Sequence, residues 1–512
     1  MRVSMLVLLV WMAVATRSIA QIAVTAPTPF DPKPWLEDLE QTREAIATKY
    51  ANLEWVVLER EIDLAALFAE AQTQLRSSAS DADARAVLDR LARRFGDGHV
   101  RFRWSSNPSP TKTRYANCAA LGYDEGIRGG VAAAFVPGYL PLANGPGSEF
   151  PAGTIQVSGH RVGVIKIGIF APEGMPELCA ESLIALSIAP GTACDEACKY
   201  RIEAWVSKRM TRDLDARIRA IEDARADVLL IDVVNNGGGT EWAEAAARMV
   251  TAVRLKSERM GFVRGAHWAK HFADTVADLR ADAKGAPQKD GAMLNGLAEQ
   301  VQGYQREAEI LCDSQPLWQG IPPSCDWLGQ GFYASGVIDS ADPKVIKSKP
   351  WAKDIFTPIQ YPYDEGVWRG PLIVLVNGGT GSAAEQFAAV LQDNHAAVVM
   401  GAPTAGAGCG HTNGGTPTTL RNSGGILELP DCARMRSDGS NEVMGIQPDV
   451  LVGLRTTDGP HRQGIRVSKK LPEAVARAIE TCAARARGGS DVRSNASSAD
   501  DSGTQTTGVN PR

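Results

Sequence analysis

The sequence predicts a mixed α/β protein in which helices cover a sheet. Largely apolar runs recur at residues 162–170, 228–234, 371–377 and 398–400, each the length of a buried strand rather than of a helix. Segments with apolar residues at helical spacing lie between or after them, as at 198–222 and 382–392. Alternation of this kind builds a sheet with helices packed on it. The composition, 44% hydrophobic and 22% charged, is that of a globular chain and excludes disorder of the whole.

The elements follow in chain order. Arg2, an apolar stretch from Val3 to Ala15, and Ser18-Ile19-Ala20 before Gln21 form an export signal over residues 1–20. No other apolar run reaches the ~18–20 residues of a spanning helix, so no stable membrane span is expected after its removal. Residues 21–104 are expected to form an N-terminal helical unit. Trp35, Leu39 and Ile46, then Leu64, Leu67, Phe68 and Leu75, then Ala84, Val87, Leu88 and Leu91 each mark one face of a helix, the third opened by Ser80 or Asp81. The unit ends at Phe95-Gly96-Asp97-Gly98-His99, a tight turn into a short strand. Residues 105–485 form the core, with an insertion of mixed helix and loop at about 255–360. Residues 486–512, rich in Ser, Gly, Asp and Asn, are expected to be a disordered tail.

The net charge is -5, with Lys+Arg 54 scattered among Asp+Glu 59 and no basic block. A nucleic-acid partner is therefore excluded, because it needs a basic face. There are nine cysteines, an odd number, so at least one stays free or pairs between chains. None shows a repeated zinc-site spacing, and export favours disulfides. Cys312 with Cys325, and Cys409 with Cys432, each close a short loop rich in turn-forming residues. His267 and His271 share a helix face without a Glu directly after His267, so a solvated face is expected and no metal. Trp318, Trp327, Tyr333, Trp351, Tyr361, Tyr363 and Trp368 are expected to form the small core of the insertion.

The stretch richest in chemistry is residues 374–385. A buried strand ends in Asn377-Gly378-Gly379-Thr380-Gly381, and the turn delivers Ser382 to the start of a helix. Free N–H groups there can stabilise an oxyanion. Ser382 and Glu385 also have the spacing of a capping box, which needs no chemistry. A second strand, 228–234, breaks at Asn235-Asn236-Gly237-Gly238-Gly239, where glycines let the backbone present N–H groups to a ligand.

Together and in this order, the two turns resemble the tail-specific, or C-terminal-processing, serine peptidase family. Thr380-Gly381-Ser382-Ala383-Ala384-Glu385 is similar to the family's nucleophile turn. The likeness continues through Leu391-Gln392-Asp393, through Gly401-Ala402-Pro403-Thr404-Ala405-Gly406, and through Glu442 to Asp449. It covers about residues 160–250 and 365–455. The resemblance implies a crotonase/ClpP-like α/β core, Ser382 as nucleophile, and oxyanion donors at Ala383 and Gly238, with Gly237 as the alternative to Gly238.

Two departures shape the expected mechanism. Ala407 stands where the family's common branch has its Lys base, and residues 105–160 carry no clear PDZ module. A Ser hydroxyl without a base is a poor nucleophile at neutral pH. Asp97-Gly98-His99 resembles the D-G-H turn of the tricorn-type branch, which takes its base from the N-terminal region. This likeness implies His99 as base, with His411 as the rival four residues after Ala407. Glu442 matches the Glu of that branch's relay, whose second Ser is Gly98 here. The implied function is an exported serine endopeptidase acting on a protein or peptide through an acyl-enzyme, with no metal or organic cofactor. A non-catalytic ligand-binding protein on the same fold and a hydrolase of non-peptide esters are the alternatives.

Overall fold

The computed structural model describes residues 30–499 apart from 105–114, 131, 144, 146, 148, 190, 191, 412–416 and 456, with side chains described through residue 487. The expected signal at 1–20 lies outside the described residues. Thirteen strands occur among them: β1 (Arg101–Arg103), β2 (Leu140–Pro141), β3 (Ala152–Val157), β4 (His160–Lys166), β5 (Val228–Asp232), β6 (Arg259–Val263) and β7 (Leu328–Tyr333). They continue as β8 (Leu372–Val376), β9 (Val398–Gly401), β10 (Thr418–Thr419), β11 (Ile426–Glu428), β12 (Cys432–Met435) and β13 (Val450–Leu451).

The architecture is mixed α/β. Seven strands form the main sheet in the order β13-β9-β8-β5-β4-β3-β2. It is parallel from β13 to β4, and β3 and β2 run antiparallel at one edge. β5 and β8 are buried at every position, as parallel strands covered on both faces must be. On one face lie the helices Pro176–Ala185, Glu196–Asp223, Trp242–Met249 and Ala383–Asp393, whose Leu178, Met210, Trp242 and Phe387 pack with Ile231 and Val374. Val467, Leu471 and Val475 of the helix Pro460–Ala499 pack on the other face with Leu230 and Ile373. That helix extends to Ala499, into the segment expected as a tail, whose remaining residues lie outside the described ones. The expected strand at 162–170 stops at Lys166. The described part of 115–160 joins the main sheet through β2 and β3 instead of forming a separate substrate-gripping module.

A second body sits beside the sheet. The N-terminal helices are Lys33–Lys49, Leu64–Arg76 and Asp81–Arg94, the last capped by Ser80, which accepts from Asp83 N–H. The insertion contributes the helices Ala266–Gly285 and Gln288–Ala308 and the strands β6 and β7, which form an antiparallel sheet with the later strand β12 in the order β12-β6-β7. These pieces share one core, in which Leu88, Phe95 and Phe102 pack in the same cluster as Phe262, Trp268, Trp318 and Trp327. Trp327 Nε1 donates to the Tyr50 carbonyl at 3.0 Å. β1 pairs with β11, which pairs with β10. The N-terminal unit and the insertion, which the sequence suggested as two pieces, are therefore packed together. Trp318, Trp327 and Trp351 lie in this core, while Tyr361, Tyr363 and Trp368 belong to the core of the main sheet. His267 and His271 are half-buried rather than solvated, and His271 packs edge-on against Trp268 at 5.5 Å between centroids.

Four disulfides occur. Cys312–Cys325 and Cys409–Cys432 match the expected pairs, and Cys118–Cys179 and Cys194–Cys198 are additional. Cys482 is free.

Candidate active site

The two glycine-rich turns meet because their strands do. β5 and β8 run parallel with Ile231 opposite Val374 and Asp232 opposite Leu375, so both chains leave the sheet at the same edge. That edge, outside the carboxyl ends of parallel strands, is where α/β folds place ligands. Asn235 and Asn377 clip the turns together: Asn235 N–H donates to Asn377 Oδ1 at 2.9 Å, and Asn377 Nδ2 donates to Asn235 Oδ1 at 2.8 Å. Gly381 N–H donates to the Asn236 carbonyl at 2.9 Å, and the Thr380 hydroxyl to the Val233 carbonyl at 2.9 Å. Beneath the first turn, buried Lys166 donates to Asp232 at 3.2 Å and to the Val234 carbonyl. Burial lowers the Lys166 pKa, and the Asp232 carboxylate, also bonded to the Ala133 and Val234 N–H groups, supports the turn.

Ser382 sits at the start of the helix Ala383–Asp393 with φ 54° and ψ -122°, a conformation that costs a non-glycine residue about 1–3 kcal/mol and clusters at functional sites. Gly238 explains how the strain is fitted. Its φ is +108°, and a Cβ added there would stand 2.6 Å from Ser382 Cβ and 2.9 Å from Ala383 N. The Gly238 N–H donates to Asn236 Oδ1 at 2.9 Å. Ala383 is buried, and its N–H opens the helix. Gly237 is exposed.

His99 arrives from the second body. Asp97 anchors its turn, accepting from His99 N–H at 2.9 Å, Asn52 Nδ2 at 2.9 Å and the Tyr50 hydroxyl at 3.1 Å. Burial pushes the Asp97 carboxyl up to about 7. His99 Nδ1 lies 2.7 Å from the Ala407 carbonyl, and Nε2 lies 3.1 Å from Ser382 Oγ. A carbonyl can only accept, so Nδ1 carries the hydrogen and Nε2 offers its lone pair to the serine. Burial lowers the His99 pKa to about 4, reinforced by the positive charges of Arg434 and Arg101 and opposed by the bond to Ala407. The imidazole is therefore neutral at pH 7, as a proton acceptor must be.

Ala407 does more than vacate a position. A Cβ on Gly98 would come within 3.0 Å of Ala407 Cβ. The D-G-H turn thus docks where a long side chain at 407 would project, and the two small residues fit each other. The loop 404–408 is shaped by Glu385, which sequence reasoning treated only as a cap. Its buried carboxylate accepts from the Ser382, Gly406 and Ala407 N–H groups at 2.9, 2.7 and 2.9 Å and from the Thr404 hydroxyl at 2.5 Å. Burial and the nearby Glu442 raise its pKa.

Two expected site residues lie further out. His411 is exposed beyond the Cys409–Cys432 bond, and the imidazole bonded to Ser382 Oγ is His99's. The residue on His99 Nδ1 is the Ala407 carbonyl, not Glu442. Glu442 is buried against Arg434, which bonds it through Nε and through Nη2 at 2.8 Å. Arg434 also donates to the carbonyls of Ser382 at 3.1 Å and Gly408 at 2.9 Å. Sequence reasoning missed it, since an Arg on a strand in a late loop region carries no local signal. Among the described residues no group of three or more His, Cys, Asp or Glu is arranged to hold a metal ion. The arrangement can take a proton from Oγ, hold it on Nε2 and return it.

Comparison with known proteins bears on the family and the fold. Residues 200–452 match the family described as peptidase family S41. A curated protein of Chlamydia pneumoniae is 26% identical over 243 residues, covering 46% of this chain and 35% of that protein. The match thus spans about a third of that relative's length. Among solved structures, mature CPAF aligns with a TM-score of 0.56 at 16% identity, covering 88% of this chain and 98% of that one, which shows the fold. The S499A mutant of CPAF aligns at 0.51 and 14% identity, covering 88% and 98%.

Proposed function

We infer that this chain, whose residues 200–452 belong to peptidase family S41, is a serine endopeptidase that works through a Ser–His pair. Ser382 Oγ attacks the substrate carbonyl carbon while its proton passes to His99 Nε2. The imidazolium is stabilised through Nδ1–H on the Ala407 carbonyl. The tetrahedral oxyanion takes a hydrogen bond from Ala383 N–H and a second from the 237–238 turn. That second donor is Gly237 N–H, or Gly238 N–H once it leaves Asn236. His99 then protonates the leaving amine, and a water activated by the same imidazole hydrolyses the acyl-enzyme. Removing one oxyanion donor typically costs ~10²–10³ in kcat, so the turn contributes as much as the base. The sheet with its helices reads as a crotonase/ClpP-like peptidase core. Glu442 assists through Arg434 rather than by touching His99.

The observation that carries the proposal is the 3.1 Å approach of Oγ to an imidazole whose other nitrogen is already committed to a carbonyl. The signal-like pattern of residues 1–20 and the four disulfides support an exported protein. A protein or peptide is the substrate class that the family implies.

A fluorophosphonate probe tests the reading, because only an activated serine labels. The wild type should label and cleave casein in preference to short acyl esters. Ser382→Ala should abolish both activities while the fold persists. Full labelling of the mutant would remove Ser382 from the mechanism. An unlabelled wild type would favour a ligand-binding protein, and a preference for esters would shift the substrate class.

A further inference from the structure

Arg434 has no part in the proton transfer, yet its contacts converge on the site. It is buried on β12, two residues after Cys432, whose disulfide runs to Cys409. Its guanidinium spans the Ser382 and Gly408 carbonyls and the Glu442 carboxylate, with Gln386 Oε1 at 3.4 Å and Glu258 Oε2 at 3.7 Å. A cation removed from water this fully is costly unless carboxylates and acceptors surround it. Two of its partners are backbone carbonyls at the catalytic turn and the base-holding loop.

The Ser382 carbonyl and the Ala383 N–H belong to one peptide unit. The chain has no cis peptide bond among the described residues. In a planar trans peptide the C=O and N–H point in opposite directions. A donor that fixes the carbonyl therefore also fixes where the N–H points. A positive charge on the oxygen polarises the unit and strengthens the N–H as a donor. The second carbonyl, at Gly408, follows directly after Ala407, the acceptor for His99.

We propose that Arg434 is a positioning residue for the oxyanion side of the reaction: it aims and polarises the Ser382–Ala383 peptide and ties the nucleophile turn to the loop that holds His99. Glu442, and Glu258 behind it, hold the guanidinium in place. The inference rests on the Ser–His reading above. It assigns a role to Glu442 that needs no contact with the imidazole.

The test measures kcat, KM and the affinity for a peptide boronate, which mimics the tetrahedral adduct. The variants are Arg434→Lys, Glu442→Gln and the charge-neutral pair Arg434→Met with Glu442→Gln. The double variant leaves no orphaned Arg434–Glu442 charge if the single arginine change prevents folding. Fluorophosphonate titration counts the folded active sites. Arg434→Lys keeps the charge but cannot span both carbonyls and the carboxylate. It should lower kcat by about 10–100-fold, within the range for a weakened oxyanion donor, with KM within about 3-fold. Boronate affinity should fall in the same ratio as kcat/KM. Glu442→Gln should lie between it and the wild type. Unchanged kcat and boronate affinity in Arg434→Lys would overturn the proposal. So would a loss of labelled sites with normal turnover per labelled site, which marks a purely structural role. A wild type that does not label would instead defeat the Ser–His reading itself.

Discussion

The scaffolds of Ser382 and His99, the proposed nucleophile and base, are built over different reaches of chain. Ser382 stands on a turn between a strand and a helix, and its strained backbone is held by neighbours at the same sheet edge, Gly238, Asn236 and Glu385. His99 belongs to a different body. Its turn is anchored by Asn52, itself bonded to Asn441, and its ring by the carbonyl of Ala407, 308 residues away. The serine is held by the turns of one sheet edge, and the histidine is delivered by packing between two bodies. Damage near the sheet edge should therefore act on chemistry directly, whereas damage to the second body should act through the placement of the imidazole.

The largest effect expected from breaking the comparison is on the serine side. In Gly238→Ala, the new methyl meets Ser382 Cβ at 2.6 Å and backbone at 2.9 Å, at a φ that L residues rarely adopt. Neither backbone group can yield, so the turn must shift. Turnover should fall by about 10³-fold or more, in line with losing both the nucleophile's geometry and an oxyanion donor. Kinetics with labelled-site counting would check it, and a near-wild-type rate would show that Gly238 merely borders the site.

Next comes the base. His99→Gln should cost on the order of 10²-fold or more in kcat, within the range for general-base catalysis, and His411→Gln far less. If the losses were reversed, the base would be His411. The pH profile sharpens the same point. Because burial lowers the His99 pKa to about 4, the rate should hold as pH falls through 6 and drop only near 4. Stability runs with it. Between the unfolded value near ~6.5 and the folded value, the unfolded chain binds the proton and the folded one does not. His99 therefore destabilises the fold progressively as pH falls through that window. Asp97, raised to about 7, acts in the opposite sense and loses its contribution as pH rises through 7. A proton titration of the His99 ring by NMR that gave an ordinary value near 6.5 would contradict the buried, carbonyl-bound imidazole.

The smallest effect is at the staple between the two scaffolds. Cys409–Cys432 fastens the loop after Ala407 to β12. Replacing both with Ser should lower stability by about 2–4 kcal/mol in a denaturant melt. Non-reducing peptide mapping should recover the pair linked, and a free thiol at either position in oxidised protein would count against it.

The same contrast explains what was readable beforehand. β5, β8, their glycine turns and Ser382 could be read because each is a contiguous pattern: an apolar run, a break, a cap. The D-G-H turn was readable for the same reason. Arg434 was not, because its meaning lies in carbonyls 26 and 52 residues away. β12 pairs with β6, and β11 with β1, across separations that no local window spans. Glu385 was seen as a cap, and its role in shaping the 404–408 loop needed the fold. The helix Pro460–Ala499 did carry a signal, the apolar spacing of Val467, Leu471, Ala474, Val475 and Ala478, which Pro472 obscured. The packing of the N-terminal unit against the insertion, through Phe68 on Trp318 at 5.2 Å, leaves no trace in either segment alone.

The β1–β11 pairing has a consequence in time. Arg101 and Glu428, partners in that ladder, are separated by 327 positions. At a synthesis rate of ~5–20 residues per second, the strand beside His99 waits on the order of 15–65 s on the ribosome for its counterpart. Ala407 and Ser382 emerge within the same late interval. During elongation the chain therefore carries His99 without Ser382, and the proposed pair closes only as the last third of the polypeptide appears. On the Ser–His reading proposed above, the site stays incomplete over that whole interval.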